Sequence, residues 1–200
     1  MNKCTGELAM LKRELFEKAY DMLEQLTPLH TDCGNLCSRA CCDSADEDAG
    51  MYLFPGEELM YAEKPDWLRI QESSFIYGKE EKPALIAICT KQCERRLRPL
   101  ACRIFPLTPY IGSNGIVNIK TDPRAVSICP LAKPHAANRL NKDFVLSVHD
   151  VFKMLVQDID ISSFIFDLSR LIDEYENLLL RFTVGQRPQN RNRALRRRYE

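Results

Sequence analysis

The spacing of the cysteines restricts this chain more than any other feature of it. Cys33, Cys37, Cys41 and Cys42 lie within ten residues, Cys89, Cys93 and Cys102 lie within fourteen, and Cys129 follows alone. Only Cys4 stands outside this pattern, and it is read as an ordinary packing cysteine. With 200 residues and 45% hydrophobic content, the chain can fill an ordinary core without covalent staples. The disulfide frameworks of small secreted scaffolds therefore do not account for the eight grouped thiols. The opening MNKCTGELAMLKRELFEKAY interrupts its apolar positions with charges and does not resemble an export signal. No run approaches the ~18 apolar residues of a membrane span. A cytoplasmic protein with reduced thiols is expected, and in that compartment a dense cysteine set serves metal binding or catalysis more often than cross-linking.

Periodicity outlines an α+β fold, with helices framing an irregular cysteine-rich metal core that holds a few short strands. Leu8, Leu11, Leu15, Ala19, Met22, Leu23 and Leu26 recur at three- and four-residue steps, which predicts a helix from Glu7 to Leu26 closed by Thr27-Pro28. CGNLCSRACC and the acidic DSADEDAG that follows it have the composition of loops. The stretch from Gly50 to Ile70 mixes aromatic residues with Pro55-Gly56 and Pro65, suiting short strands and turns, with Trp67 in the core. ALIAICT and GIVNIKT read as strands near the second cysteine group. Two helical stripes follow, one from Phe144 to Ile159 and one from Phe164 to Phe182, expected to pack on each other and on the first helix. The predicted organisation is an N-terminal helix over 1–28, a cysteine-cluster metal-binding domain over 29–134, a C-terminal helical pair over 135–184 and a basic tail over 185–200.

Thiolate is a soft ligand suited to zinc, copper(I) or iron–sulfur clusters, whereas magnesium and calcium require oxygen. Gly34-Asn35 can turn the chain after Cys33, and Ser38-Arg39-Ala40 can form one helical turn joining Cys37 to Cys41. Adjacent side chains diverge, so one of Cys41 and Cys42 is expected to serve a second metal or to pack. The candidate ligands are thus Cys33, Cys37, Cys41, Cys42, Cys89, Cys93, Cys102 and Cys129, and four plus four would suit two sites. The alternative is that they are buried hydrophobic cysteines, but eight in two tight groups fit metal binding better.

The same residues resemble the YkgJ-type cysteine-cluster proteins, described as zinc- or iron-chelating through a CxxCxxCC motif. CGNLCSRACC supplies the first part of the likeness. CTKQCERRLRPLACRIFP supplies Cys89, Cys93 and Cys102 with Arg98-Pro99, Arg103, Phe105 and Pro106, and Cys129-Pro130 resembles the family's last cysteine. The resemblance runs from Cys33 to Pro130 and implies eight metal-associated cysteines. Three residues separate the first two cysteines where the family motif has two, which leaves open how Cys33 and Cys37 are shared between metals. Part of the motif is also similar to the cysteine region of flagellin lysine N-methylases, so an iron–sulfur enzyme of the protein lysine methylase type and an iron–sulfur electron carrier stand as alternatives.

The cofactor is read as zinc or an iron–sulfur cluster. His30, His135 and His149 form no ligand pair with the cysteines, which leaves all-thiolate coordination, and both cofactors accept that. Arg95, Arg96, Arg98 and Arg103 flank the second group, where guanidinium charge would offset thiolate charge, or would pair with acids such as Glu94 and Asp122. From Arg181 to Glu200 the chain holds seven arginines and one acid, against a formal net charge of zero for the whole. Tyr199 is the only aromatic residue within 185–200, so a solvated end is expected there rather than a nucleic-acid surface. Dinucleotide, phosphate-loop and Ser-His-Asp signatures are missing, and no reaction or substrate follows from the residues.

Overall fold

The computed structural model describes residues 2–42, 50–63, 65–90, 93–134, 136 and 139–185. The acidic segment 43–49, the basic tail 186–200, His135 and the side chain of Cys4 lie outside the described residues. The fold mixes helices with two small antiparallel sheets. Helix α1 spans Asn2–Met22. Strands β1 (Met51–Tyr52), β2 (Leu68–Tyr77) and β3 (Lys82–Cys89) form a sheet in the order β1-β3-β2. A short helix α2 (Leu100–Ile104) leads into the hairpin of β4 (Leu107–Ile111) and β5 (Val117–Thr121). Helices α3 (Lys142–Leu155) and α4 (Ile159–Gly185) complete the chain. Among the described residues no helix is long and apolar enough to cross a membrane.

Helix α1 begins and ends earlier than its apolar spacing predicts. Its last turn tightens through Leu23 N to Tyr20 O (3.1 Å) and Leu26 N to Leu23 O (3.3 Å). Arg95 then holds the turn beyond the helix, donating to Glu24 O from Nε (3.1 Å) and to Leu26 O from Nη2 (3.0 Å). The buried stripe also differs from the predicted one. Phe16, Ala19, Tyr20 and Leu23 are buried, whereas Leu8 and Leu11 remain exposed, because only the second half of α1 reaches the core.

One core joins α1, α2, the β4–β5 hairpin, α3 and α4 through residues such as Phe16, Leu100, Ile104, Phe144, Phe152, Phe164 and Ile172, all essentially inaccessible. Phe164 stands edge-on to Tyr52, Phe54, Phe75 and Tyr77 at centroid distances of 6.3, 5.6, 5.6 and 5.2 Å, the arrangement that aromatic quadrupoles prefer. Both C-terminal helices start on side-chain caps, with Asn141 Oδ1 accepting from Asp143 N (3.0 Å) and Asp158 Oδ1 from Asp160 N (2.9 Å). Ser169 of α4 accepts from Ile111 N at 2.9 Å, and this bond fixes the hairpin against the helix. A second apolar cluster of Leu53, Tyr61, Trp67, Leu68 and Ala87 packs against Cys93 and Leu97. Trp67 is in this core, as its aromatic character suggested.

Between the clusters lies a fully buried carboxylate. Glu57 Oε1 accepts from Tyr20 OH and from Leu100 N, both at 2.6 Å, and Oε2 accepts from Phe54 N at 3.0 Å. Tyr61 OH meets Tyr20 OH at 2.7 Å, and the Arg103 guanidinium lies 4.3 Å over the Tyr20 ring. Burial pushes the Glu57 carboxyl up to about 7, against the opposing pull of its three donors and of Arg103. Glu57→Ala strands three buried donors and should cost roughly 3 to 5 kcal/mol in urea unfolding. Because the folded state holds this proton more tightly than the unfolded chain, Glu57 contributes most stability below about pH 4.5 and loses it as pH rises through about 7. The stability of the reduced wild-type chain should therefore fall across that window, and Glu57→Gln should lack that part of the slope.

Candidate metal centre

Each cysteine is held by local backbone chemistry. Asp32 Oδ1 accepts from Gly34 N at 2.9 Å and starts a 3-10 turn over Cys33–Leu36, as Gly34-Asn35 suggested. A Cβ at Gly34 would stand 2.7 Å from Arg39 Cγ, so a larger residue there would displace the Arg39 side chain. Ser38 and Arg39 both adopt left-handed backbone, with φ of 52° and 59°. The segment from Cys37 to Cys41 is therefore not the single right-handed helical turn expected from its length. Arg39 N bonds back to Gly34 O (3.0 Å) and its guanidinium reaches Asp32 (3.3 Å), which folds the loop on itself and delivers Cys41 and Cys42 on a second 3-10 turn.

In the second group Cys89 and Cys102 are carried by regular structure, while Cys93 lies outside helix and strand. Cys89 ends β3, where it pairs with Leu68 across the sheet, and Cys102 sits in the middle of α2. Cys129 donates its backbone N–H to Ala125 O (2.7 Å) at the end of a 3-10 turn over Pro123–Ser127 that Asp122 caps. Exposure is graded across the set. Cys41, Cys42 and Cys89 are exposed, Cys33, Cys37, Cys93 and Cys102 are partly covered, and Cys129 is buried.

The two sequence groups meet. Cys33, Cys37 and Cys41 from the first line one cavity of about 60 Å³ with Cys102 and Cys129 from the second. Cys42 lies within electrostatic reach of Cys89 and Cys102, and Cys89 within reach of Cys93. Burial pushes the Cys33, Cys89, Cys102 and Cys129 thiols up, and neighbouring sulfurs push the same way. Cys41 Sγ lies 4.0 Å from Cys42 Sγ. The Cys41 thiol is pushed up by this contact, while Cys42 is pulled down to about 6, first by Cys41 and then, against burial, by Arg98 and Arg39.

The arginines divide the work. Arg98 Nε donates to Cys93 Sγ at 3.3 Å, and the surrounding sulfurs hold its charge in place against burial. Arg103 instead locks the loop before α2, donating to the carbonyls of Arg98 (2.9 Å), Arg95 (2.9 Å) and Arg96 (2.7 Å) and to Glu24 (2.9 Å). Asp122 pairs with Arg124 at 2.7 Å and takes no part in this cluster.

Among the described residues no three His, Cys, Asp or Glu side chains stand in an arrangement that could hold a metal ion. The thiols feel one another's charge without closing onto a point. The donor set still fits a thiophilic group by its chemistry: sulfur from both sequence groups on one cavity, with guanidinium charge beside it. A larger cavity of about 490 Å³ between α1 and the three-stranded sheet is lined by Leu8, Lys12, Phe54, Leu85 and Asp160 and contains no cysteine. Compared with protein-family models, with curated proteins and with solved structures, the chain matches none of them.

Sequence reasoning missed Asp32 and Glu57. An Asp immediately before Cys33-Gly34 is a turn-capping signal that could have identified the first. Nothing local to Phe54-Pro55-Gly56-Glu57 marks the second, since its partners come from distant segments. Because the thiolate is the nucleophile, brief alkylation of the reduced chain at about pH 7 should label Cys42 ahead of Cys41, Cys102 and Cys129. The preference should fade below about pH 6, and peptide mass mapping reads the order.

Proposed function

We propose that this is a metal-binding cysteine-cluster protein in which Cys33, Cys37, Cys41, Cys42, Cys89, Cys93, Cys102 and Cys129 hold zinc or an iron–sulfur cluster. The observation that carries the proposal is the cavity shared by thiols from positions as far apart as Cys33 and Cys129, with Arg98 bonded to the Cys93 sulfur beside it. Crowded thiols are costly to ionise together, and a bound cation removes that cost by neutralising them. The resemblance of CGNLCSRACC and RPLACRIFP to YkgJ-type proteins supports the same function. Zinc would supply a fixed tetrahedral centre, and a cluster would supply one-electron chemistry. The metal ion is the partner proposed, in a cytoplasmic setting.

Metal analysis of the chain purified without oxygen tests this. Iron with sulfide and visible absorption identifies a cluster, and colourless protein carrying zinc identifies a zinc centre. Metal-free protein that takes up neither after reconstitution would refute the proposal. Cys102→Ser should lower metal content and melting temperature together, because binding free energy at such a site is also folding free energy. Truncation after Gly185 should leave metal content unchanged and abolish no salt-sensitive RNA or DNA binding, since none is expected of the tail.

A further inference from the structure

Cys41 and Cys42 are the one adjacent pair among the candidate ligands. Both are exposed, as Cys89 also is, and their sulfurs already lie 4.0 Å apart with no other side chain needed to bring them together. We infer that this pair is an oxidative modification site, closing to a vicinal disulfide when it meets a low-molecular-weight disulfide and so withdrawing two ligands from the centre proposed above, on which this regulation rests.

The exchange balances without a further reactant. Cys42 Sγ attacks one sulfur of the small disulfide, the S–S bond breaks, and one thiol leaves carrying the Cys42 proton. Cys41 Sγ then attacks Cys42 Sγ in the mixed disulfide, forming the protein bond and releasing the second thiol with the Cys41 proton. The protein loses two electrons, and the small disulfide gains them as two thiols. Neighbouring residues hold their Cα atoms about 3.8 Å apart, shorter than the usual span of a disulfide. The closed ring is therefore strained, and strain makes a disulfide readily reducible, so the modification reverses under reducing conditions.

The sequence makes the test clean. Trypsin cuts after Arg39 and next after Arg69, because Lys64 precedes Pro65, and the resulting peptide contains no cysteines except Cys41 and Cys42. The full chain, reduced and freed of metal by a chelator, is incubated with glutathione disulfide and mapped by mass. The peptide 40–69 should lose the mass of two hydrogens, Cys41→Ser should instead retain one glutathione on Cys42, and dithiothreitol should reverse both. Zinc or iron affinity of the oxidised chain should fall by at least about tenfold, the loss that removing even an outer-shell partner of a metal site brings. A peptide that stays reduced, keeps glutathione in the wild type, or is cross-linked to the peptide bearing Cys37, Cys89 or Cys102 would overturn the inference, as would equal metal affinity in both redox states. If the peptide closes but the reduced chain binds no metal, the metal proposal fails and the oxidation site stands. If the reduced chain binds metal but the peptide does not close, the outcome is the reverse.

Discussion

The Glu57 carboxylate is the tie on which the cysteine-bearing half of the fold depends. It reaches three separate segments, through Tyr20 of α1, the backbone of Phe54 and the backbone of Leu100 at the start of α2. Helix α2 has only five residues, too few to be stable from its own hydrogen bonds. Its position is set by that carboxylate at its first residue, by Leu100 and Ile104 in the core, and by Arg103 gripping the preceding loop. Cys102 is thereby held by interactions that involve no metal. The first cysteine group is organised differently, by Asp32, Gly34 and the left-handed Ser38-Arg39 pair within a few residues of one another.

This division explains how much of the fold the sequence made legible. Long amphipathic stripes such as Phe144 to Leu155 announce themselves, because their periodicity and their burial have one cause. The strand ending at Cys89 was readable from its apolar run for the same reason. The helical spacing overran at the ends, since Ile159 opens α4 rather than closing α3 and is exposed, as is Phe182 at the end of the second stripe. The end of α1 was not readable, since the turn that follows Met22 is held by Arg95, about seventy residues away, on the carbonyls of Glu24 and Leu26. Strand β4 was missed because Pro109 and the polar Thr108 hide its alternation, and its place is set by Ser169 of α4 rather than by its own pattern.

The candidate centre was legible in outline and not in detail. Spacing alone grouped the thiols, and the fold places Cys33, Cys37, Cys41, Cys102 and Cys129 on one cavity while Cys42, Cys89 and Cys93 lie outside its lining. The arginines around Cys93 were noticed as charge, but only the fold separates Arg98, which touches a sulfur, from Arg103, which touches carbonyls. That distinction is one of geometry: the planar fork of Arg103 satisfies three carbonyls and a carboxylate at once, which the single ammonium of lysine cannot reproduce.

The grading of exposure from Cys129 to Cys41 has a consequence for the timing of exchange. A small thiol or chelator arriving from solvent meets Cys41, Cys42 and Cys89 before it can reach Cys102 or Cys129. For a group bound at the proposed centre, every ligating sulfur would add to retention, while the shallow ones would set where a competing ligand attacks first. Substitutions at the shallow end would then change lability and affinity together, whereas a deep substitution would lower affinity without moving the point of attack.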